Sequence, residues 1–360
     1  MSRIGIILSN QATLSPKAGP VVLGCRIRLA RNSAGSKFPE KLGASGRENV
    51  CENRLKTLRE LKEFKNAEFL KMRDLTQTEQ HVLAERRLIS RELIGRAGAA
   101  VVISEDQKVA IMLNEEDEFR IQVLDSARDL GAIFQRAREI DSALDAQFRF
   151  AFSARYGFLT ACPTNLGSGM RASAMVHLPG LVMDGQMEKV VRALNMCGLD
   201  VRGAFGEGSD ATGSIFQISN RNTLGEAEEK IVENLREWLD GIVEQEKNAR
   251  RRVVKRDRLA FCDQIARAYG ELRHAILLSE NEAADTLSLL RMACDLGIFP
   301  EYARVHIDEL FFDSQSAHVA LAAETRAEDL RNDAAKTNSL RATHFRERFS
   351  LIPPPDFSAI

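Results

Sequence analysis

The stretch Cys162-Pro163-Thr164-Asn165-Leu166-Gly167-Ser168-Gly169-Met170-Arg171-Ala172-Ser173 is a run of turn-forming and small residues that closes on an arginine. Proline and glycine free such a run from regular structure, and Thr164, Asn165 and Ser168 are residue types that cap helices. The pattern predicts a loop over 153–169 that opens a helix over about 170–178 carrying Arg171. Amides at a helix start favour phosphate, so the loop would bring both amides and a guanidinium to one anion. The same residues also fit an ordinary capped helix start with Cys162 as a small buried group. Alternatively, Cys162 is a thiolate near bound cations and a candidate redox-sensitive residue.

Three other segments place arginines or acids in arrangements that suit an anion or a cation. In Cys25-Arg26-Ile27-Arg28-Leu29-Ala30-Arg31, within the strand-like Val21 to Leu29, Arg26 and Arg28 stand two apart and share a strand face. Two guanidiniums side by side repel unless an anion lies between them; two solvated surface arginines are the alternative. Asn114-Glu115-Glu116-Asp117-Glu118-Phe119-Arg120 packs four acids into a loop ahead of an arginine that starts a strand. It reads either as a solvated acidic turn or as a carboxylate that grips a cation beside an arginine that grips an anion. Arg202-Gly203-Ala204-Phe205-Gly206-Glu207-Gly208 ends a strand and brings Glu207 round on a glycine turn, compatible with a substrate loop. Neither G-x-x-x-x-G-K-[ST] nor G-x-G-x-x-G is present, so any nucleotide would be held mainly by arginines.

Around these motifs the chain reads as α+β. Residues 1–20 form an irregular arm, helices are expected over about 48–70 and 76–94, and a hairpin over Ala99 to Leu113. The alternating Phe119 to Val123 follows, so the sheet is expected to be antiparallel. A helix over about 126–147 and strands near 199–205 and 213–219 complete this part. From Leu224 a long helix carries Ile231, Leu235, Leu239 and Ile242 on one stripe. Nearly everything beyond Lys255 reads helical as far as Pro353-Pro354-Pro355. The expected division is an arm at 1–20, a catalytic α+β domain at 21–254 and a helical domain at 255–360.

Composition narrows the function classes. The 360 residues carry 50 basic and 51 acidic side chains, a net charge of -1, which gives no reason to expect a nucleic-acid or membrane partner. Six cysteines lack both C-x-x-C pairing and companion histidines, against a zinc site or a disulfide framework. No apolar run approaches the roughly 18 residues of a membrane span. The expectation is a cytoplasmic protein.

Taken together and in this order, C-R-I-R-L-A-R, N-E-E-D-E-F-R, C-P-T-N-L-G-S-G-M-R-A-S and R-G-A-F-G-E resemble the catalytic core of the phosphagen (ATP:guanido) kinases. The likeness runs from about residue 21 to 349 and is strongest to the bacterial branch that phosphorylates arginine in proteins. It extends through Phe216-Gln217-Ile218-Ser219-Asn220, Arg267-Ala268-Tyr269-Gly270 and Asp295-Leu296-Gly297-Ile298. The resemblance implies an antiparallel sheet flanked by helices, like that of glutamine synthetase, followed by an all-α C-terminal domain used for dimerisation and regulation. It implies phosphate-clamping roles for Arg26, Arg28, Arg120, Arg171 and Arg202, and catalytic, substrate-gripping roles for Glu116 and Glu207. The ATP site would also take in Gly24, Cys25, Ile27, Arg87, Ala172, Ser173, Ala174, Met175, Gly203, Ala204, Phe205 and Gly206. Mg2+ would arrive with ATP, with no metal held by protein side chains.

Members acting on free amino acids carry an extra helical domain before the first arginine motif. Only about 20 residues precede it here, so the expected acceptor is an arginine side chain on a protein. The resemblance further implies a role in protein quality control and stress response, a homodimer, an activator of zinc-finger character, Clp protease components and a stress repressor as partners. Three positions depart from the branch. Arg87-Leu88-Ile89-Ser90 stands where a histidine leads the pattern, and Asp210 where glutamate is usual. Thr337-Asn338-Ser339-Leu340-Arg341-Ala342 replaces the phosphoarginine-sensing R-D-x-x-R-A. The alternatives are a kinase for a free small guanidine and a non-catalytic adaptor that binds nucleotide or arginine.

Overall fold

The computed structural model describes residues 4–9, 19–126, 128–203, 211–323 and 333–360. Its strands are β1 (Val22–Arg31), β2 (Glu68–Lys71), β3 (Ala100–Ile103), β4 (Val109–Leu113), β5 (Phe119–Asp125), β6 (Phe152–Ser153), β7 (Gly157–Phe158), β8 (Met170–His177), β9 (Leu199–Gly203) and β10 (Ile215–Asn220). Eight of them form one sheet in the order β2-β3-β4-β5-β1-β8-β10-β9, and β6 pairs with β7. The helices are α1 (Gly5–Ser9), α2 (Ala44–Glu60), α3 (Gln77–Glu85), α4 (Leu130–Phe148), α5 (Pro179–Met183), α6 (Met187–Met196), α7 (Glu228–Arg256), α8 (Arg258–His274), α9 (Glu280–Asp295), α10 (Glu301–Asp313), α11 (Ser316–Ala322) and α12 (Ala334–Phe349). None of the described helices is long and apolar enough to cross a membrane.

The expected hairpin forms with Val102 opposite Ile111, and β5 joins it antiparallel with Ile111 opposite Ile121. Three readings change. The helix expected over 48–70 stops at Glu60, because Glu68–Lys71 pairs with β3, with Leu70 opposite Val101; pairing at a sheet edge overrides local propensity. The helix expected over 76–94 is α3 alone, which begins at a Thr76 capping box and ends before Arg87, held at φ 61°. The arm read as irregular contains the five-residue helix α1.

Two compact units emerge. The first comprises residues 1–13, 24–174 and 219–237, the second 14–23, 175–218 and 238–360. In the first, α4 lies along β5, and Ile27, Leu29, Val101, Ile111, Ile121 and Ala137 are buried between strand and helix faces. In the second, α8, α9, α10 and α12 pack around Leu272, Leu287, Leu290, Ile307, Leu310 and Phe345. This helical core also holds buried ion pairs. Arg291 donates to Asp308 at 2.6 Å and Arg250 to Asp295 at 2.9 Å, and both reach the Pro20 carbonyl at 3.0 Å. His177 is buried against these arginines, with its ring 2.8 Å from Ser288; burial, then Arg291, drives its pKa well down.

Candidate functional site

Strand alternation decides which groups β1 can offer. Cys25, Ile27 and Leu29 are buried on one face while Arg26 and Arg28 point to the other. Antiparallel pairing sets Arg28 opposite Gln122 and Ala30 opposite Arg120 on β5, so Arg26, Arg28 and Arg120 occupy one face of adjacent strands. Arg171 comes from β8, the neighbour of β1 on its other side. Its guanidinium is steadied by the Ser219 hydroxyl, 3.2 Å from Nε and 2.9 Å from Nη2.

Arg171 therefore stands on a strand, not on the helix read from the sequence. The capping residues are used otherwise: Pro163–Asn165 make a single 3₁₀ turn, and the Ser168 hydroxyl donates to the Thr223 carbonyl at 3.2 Å. Ala172, Ser173 and Ala174 are small and buried, as the interior of a sheet requires. Gly169 sets the entry to the strand at φ 61°, where a Cβ would lie 2.7 Å from Arg31 Nη1 and 2.8 Å from the Ala30 carbonyl. Among the described residues no helix N-terminus contributes here, and the side-chain guanidiniums supply the attraction for an anion.

That attraction is strong because the arginines are crowded. Burial pushes the Arg26 guanidinium down to about 9, helped by the charges of Arg87, Arg120 and Arg171. Burial also holds Arg28 well below its ordinary value, with Arg26, Arg120 and Arg171 adding to it and Glu115 opposing. Arg87 is lowered by burial to about 10. Arg28 Nε is buried without a hydrogen-bond partner among the described residues. Buried charge of one sign with an unsatisfied donor is costly until a counter-charge arrives. A polyanion such as a triphosphate fits that donor set.

Side chains that the motifs did not flag fix this cluster. Gln122 lies 3.5 Å from Arg26 Nη1 through its carbonyl oxygen, and its amide donates to the Arg87 carbonyl at 2.7 Å. The alternation of Phe119-Arg120-Ile121-Gln122 carried the signal, since Gln122 shares the face of Arg120. Cys25 and Ile27 offer only backbone, because their side chains face the core, and burial raises the Cys25 thiol to about 12. Gly24 is needed for close approach, since a Cβ there would lie 2.8 Å from the Asp125 carbonyl.

The acidic loop sorts its four carboxylates by partner. Glu115 is ion-paired to Arg120 and accepts from Ser90 Oγ at 2.7 Å. Asp117 accepts from the Ala161 amide at 2.6 Å and Asn32 Nδ2 at 2.7 Å. Glu118 accepts from Arg54 Nε at 2.6 Å and from the amide and hydroxyl of Ser33, each at 2.9 Å. Glu116 is the one of the four that is half-buried, and it has no ion pair or hydrogen bond from a cationic side chain among the described residues. Burial, then Asp117 and Glu115, raises its pKa, while Arg120 and the Cys162 thiol pull it down. Glu116 lines one small cleft with Arg28, Arg120, Arg171 and Asn165. The cleft's volume of about 40 Å³ exceeds the roughly 10–15 Å³ that one water needs, so small polar groups can enter it.

Other expected site residues lie elsewhere. Arg202 is on β9 in the second unit, exposed, 3.6 Å from Asp200, and Gly203 ends that strand. Ala204, Phe205, Gly206 and Glu207, with Asp210, fall outside the described residues. Ala172, Ser173, Ala174 and Met175 follow Arg171 along β8. Thr337, Asn338, Arg341 and Ala342 are on α12, where buried Arg341 donates to the Ser314 carbonyl at 2.6 Å, the Leu278 carbonyl at 2.8 Å and Asn338 Oδ1 at 2.9 Å.

Known proteins share both parts of the chain. Residues 49–249 match the model of the ATP:guanido phosphotransferase C-terminal catalytic domain, and residues 258–360 that of the protein-arginine kinase McsB C-terminal domain. Protein-arginine kinase of Bacillus cereus (strain AH187) is 40% identical over 297 residues, 82% of this chain and 84% of its own length. The Bacillus anthracis (strain A0248) enzyme of the same name gives the same figures. Among solved structures, the duplicated taurocyamine kinase of Schistosoma mansoni with transition-state analogue components superposes with a TM-score of 0.57 at 23% identity, over 63% of this chain and 33% of that one. Lombricine kinase gives 0.56 at 24% identity, over 66% of this chain and 70% of its own. These two share the fold.

Proposed function

The chain belongs to the ATP:guanido phosphotransferase family, in its protein-arginine kinase branch, and from that premise we propose that it transfers the γ-phosphoryl group of MgATP to the guanidinium of arginine side chains in proteins. The observation that carries this reading is the small cleft shared by Arg28, Arg120, Arg171 and the unpaired Glu116. Phosphoryl transfer to a guanidinium needs cationic groups around the phosphate and a carboxylate beside the acceptor, and few other reactions need both at one point.

In this mechanism Arg26, Arg28, Arg120 and Arg171 position the triphosphate and neutralise charge on the phosphoryl group in transit, with Arg202 joining them by resemblance. Arg87 borders Arg26 and serves the nucleotide side, while Gly24 and the backbone of Ala172 to Met175 shape the strand edges. Carried by ATP, Mg2+ would neutralise phosphate charge beside these arginines. The acceptor guanidinium has a pKa above about 12, so its nitrogen lone pair is scarce in water. Glu116, with Glu207 by resemblance, localises the positive charge away from the attacking nitrogen. It takes the proton as the N–P bond forms and the bond from phosphorus to the β–γ bridging oxygen breaks. A carboxylate raised by burial is the better base for that step. The helical region 255–360 serves dimerisation and regulation in this reading.

Incubation with MgATP and an unfolded model protein, followed by mass spectrometry for acid-labile phosphate, should find phosphoarginine on the protein. Free arginine should be turned over far more slowly. Equal rates on both would favour the free-guanidine reading, and ATP binding without any phosphoarginine would favour an adaptor.

Cys162→Ala tests the base. The Cys162 thiol is among the groups that lower the Glu116 pKa, so its removal should raise that pKa further. The acid limb of kcat/KM should then move to higher pH while the plateau is kept. A pH–rate profile with an unmoved limb would show that Cys162 does not tune this carboxylate.

A further inference from the structure

Five phenylalanines form a file from the core to the surface of the first unit. Phe148 meets Phe119 at 4.9 Å between ring centroids, Phe119 meets Phe150 at 5.8 Å, Phe150 meets Phe158 at 6.5 Å, and Phe158 meets Phe152 edge-on at 5.3 Å. The file runs from Phe119, fully buried, to Phe152, which is 62% exposed. Tyr156, at the turn of the same β6–β7 hairpin, is 42% exposed and carries the Arg155 guanidinium over its ring at 5.0 Å. The mount is rigid. The Arg31 guanidinium lies 3.5 Å from the centre of the Phe158 ring and is itself pinned by Asp141 at 2.9 and 3.0 Å. Large aromatic rings held in place at a surface give up little entropy when they capture a partner, the usual property of interface anchors.

The hairpin is also fastened to the acid loop. Asn32 Nδ2 donates both to the Leu159 carbonyl at 3.1 Å and to Asp117 at 2.7 Å, and the Ala161 amide donates to Asp117, the neighbour of Glu116, at 2.6 Å. Four residues take the chain from Phe158 to Cys162, so the hairpin base lies within about 14 Å of Cys162, which follows the Ala161 amide bound to the neighbour of Glu116. An extended polypeptide covers that span in roughly four residues.

We propose that Phe152 and Tyr156 form a docking surface for the acceptor polypeptide, gripping apolar or aromatic side chains roughly three to six residues from the arginine held at Glu116. The proposal rests on the protein-arginine kinase reading above. A free guanidine has no chain to lay across the hairpin; a polypeptide acceptor always does.

The test is steady-state kinetics of the full chain on two arginine peptides, one with phenylalanine and leucine at those flanking positions and one with glycine and serine. The wild type should show the lower KM on the apolar peptide. Phe152→Ala combined with Tyr156→Ala should raise that KM about ten-fold, leave kcat unchanged and erase the difference between peptides. Tyr156→Ala alone, outside the phenylalanine file, gives a partial KM effect if the double variant unfolds. Equal KM values for the two peptides in the wild type would overturn the proposal, as would a preference that survives in the variants. A variant whose only change is its oligomeric state by light scattering would assign the surface to a second copy and also overturn it. A wild type that phosphorylates neither peptide nor unfolded protein would remove the premise, and the proposal with it.

Discussion

Glu116→Gln is expected to cut the rate of arginine phosphorylation by about 10²–10⁴-fold, the usual contribution of a positioned general base, while ATP affinity stays within about two-fold. The amide is nearly isosteric but can neither localise the acceptor's charge nor take its proton. The neighbouring acids cannot substitute: Glu115 is bound to Arg120 and Ser90, Asp117 to Ala161 and Asn32, and Glu118 to Arg54 and Ser33. Because the fold raises the Glu116 pKa, wild-type kcat/KM should fall on acidification at a pH above the ordinary glutamate range, and this limb should vanish in the variant. Steady-state kinetics with ATP titration by calorimetry separates the two effects. Retention of more than about a tenth of the rate would leave Glu116 without the role of base.

The second large effect is expected to change activity and stability in opposite directions. Arg28→Gln should lower kcat/KM by about 10²–10³-fold, the cost of removing one donor aimed at developing charge, and yet raise the thermal midpoint of the ligand-free protein. Arg28 is held well below its ordinary pKa by burial and by Arg26, Arg120 and Arg171, so its charge opposes folding. The sign follows from linkage. For Arg26, whose pKa falls to about 9, the penalty is fully present below pH 9 and is relieved as pH rises above it. Removing one guanidinium relieves its neighbours at neutral pH. Inorganic tripolyphosphate should raise the wild-type midpoint and raise that of the variant less, since a ligand stabilises the state it binds. Thermal unfolding with and without the anion measures both. A variant less stable than the wild type would mean that the Arg28 stem matters more through packing than through charge.

How much of this was legible depended on the range over which each residue is determined. The face shared by Arg26 and Arg28 follows from a period of two, and the strand that presents Arg120 from the same rule, so both were readable. Arg171 was singled out by its motif, but its element was misread. Thr164, Asn165 and Ser168 carry a local preference for capping a helix, and the sheet outbids it by placing β8 beside β1. Arg87 was flagged by resemblance, but its left-handed turn was hidden inside a helical pattern. The acid loop was legible as acidic and illegible as to which acid stays unpaired. That distinction is made by Asn32, Ser33, Arg54, Ser90 and Ala161, some of them more than 80 positions away. Local sequence holds no record of such partners.

The bond from the Ala30 amide to the Gly169 carbonyl, 2.9 Å long, makes the loop before β8 a length gauge. It fixes where β8 begins against β1, and Arg171 lies two steps beyond it. Inserting or deleting one residue between Gly169 and Arg171 would turn that guanidinium to the opposite side of the sheet, since successive strand positions face opposite ways. The same alteration before Pro163 would leave its direction untouched. Spacing, as much as residue type, is what this loop contributes to the site.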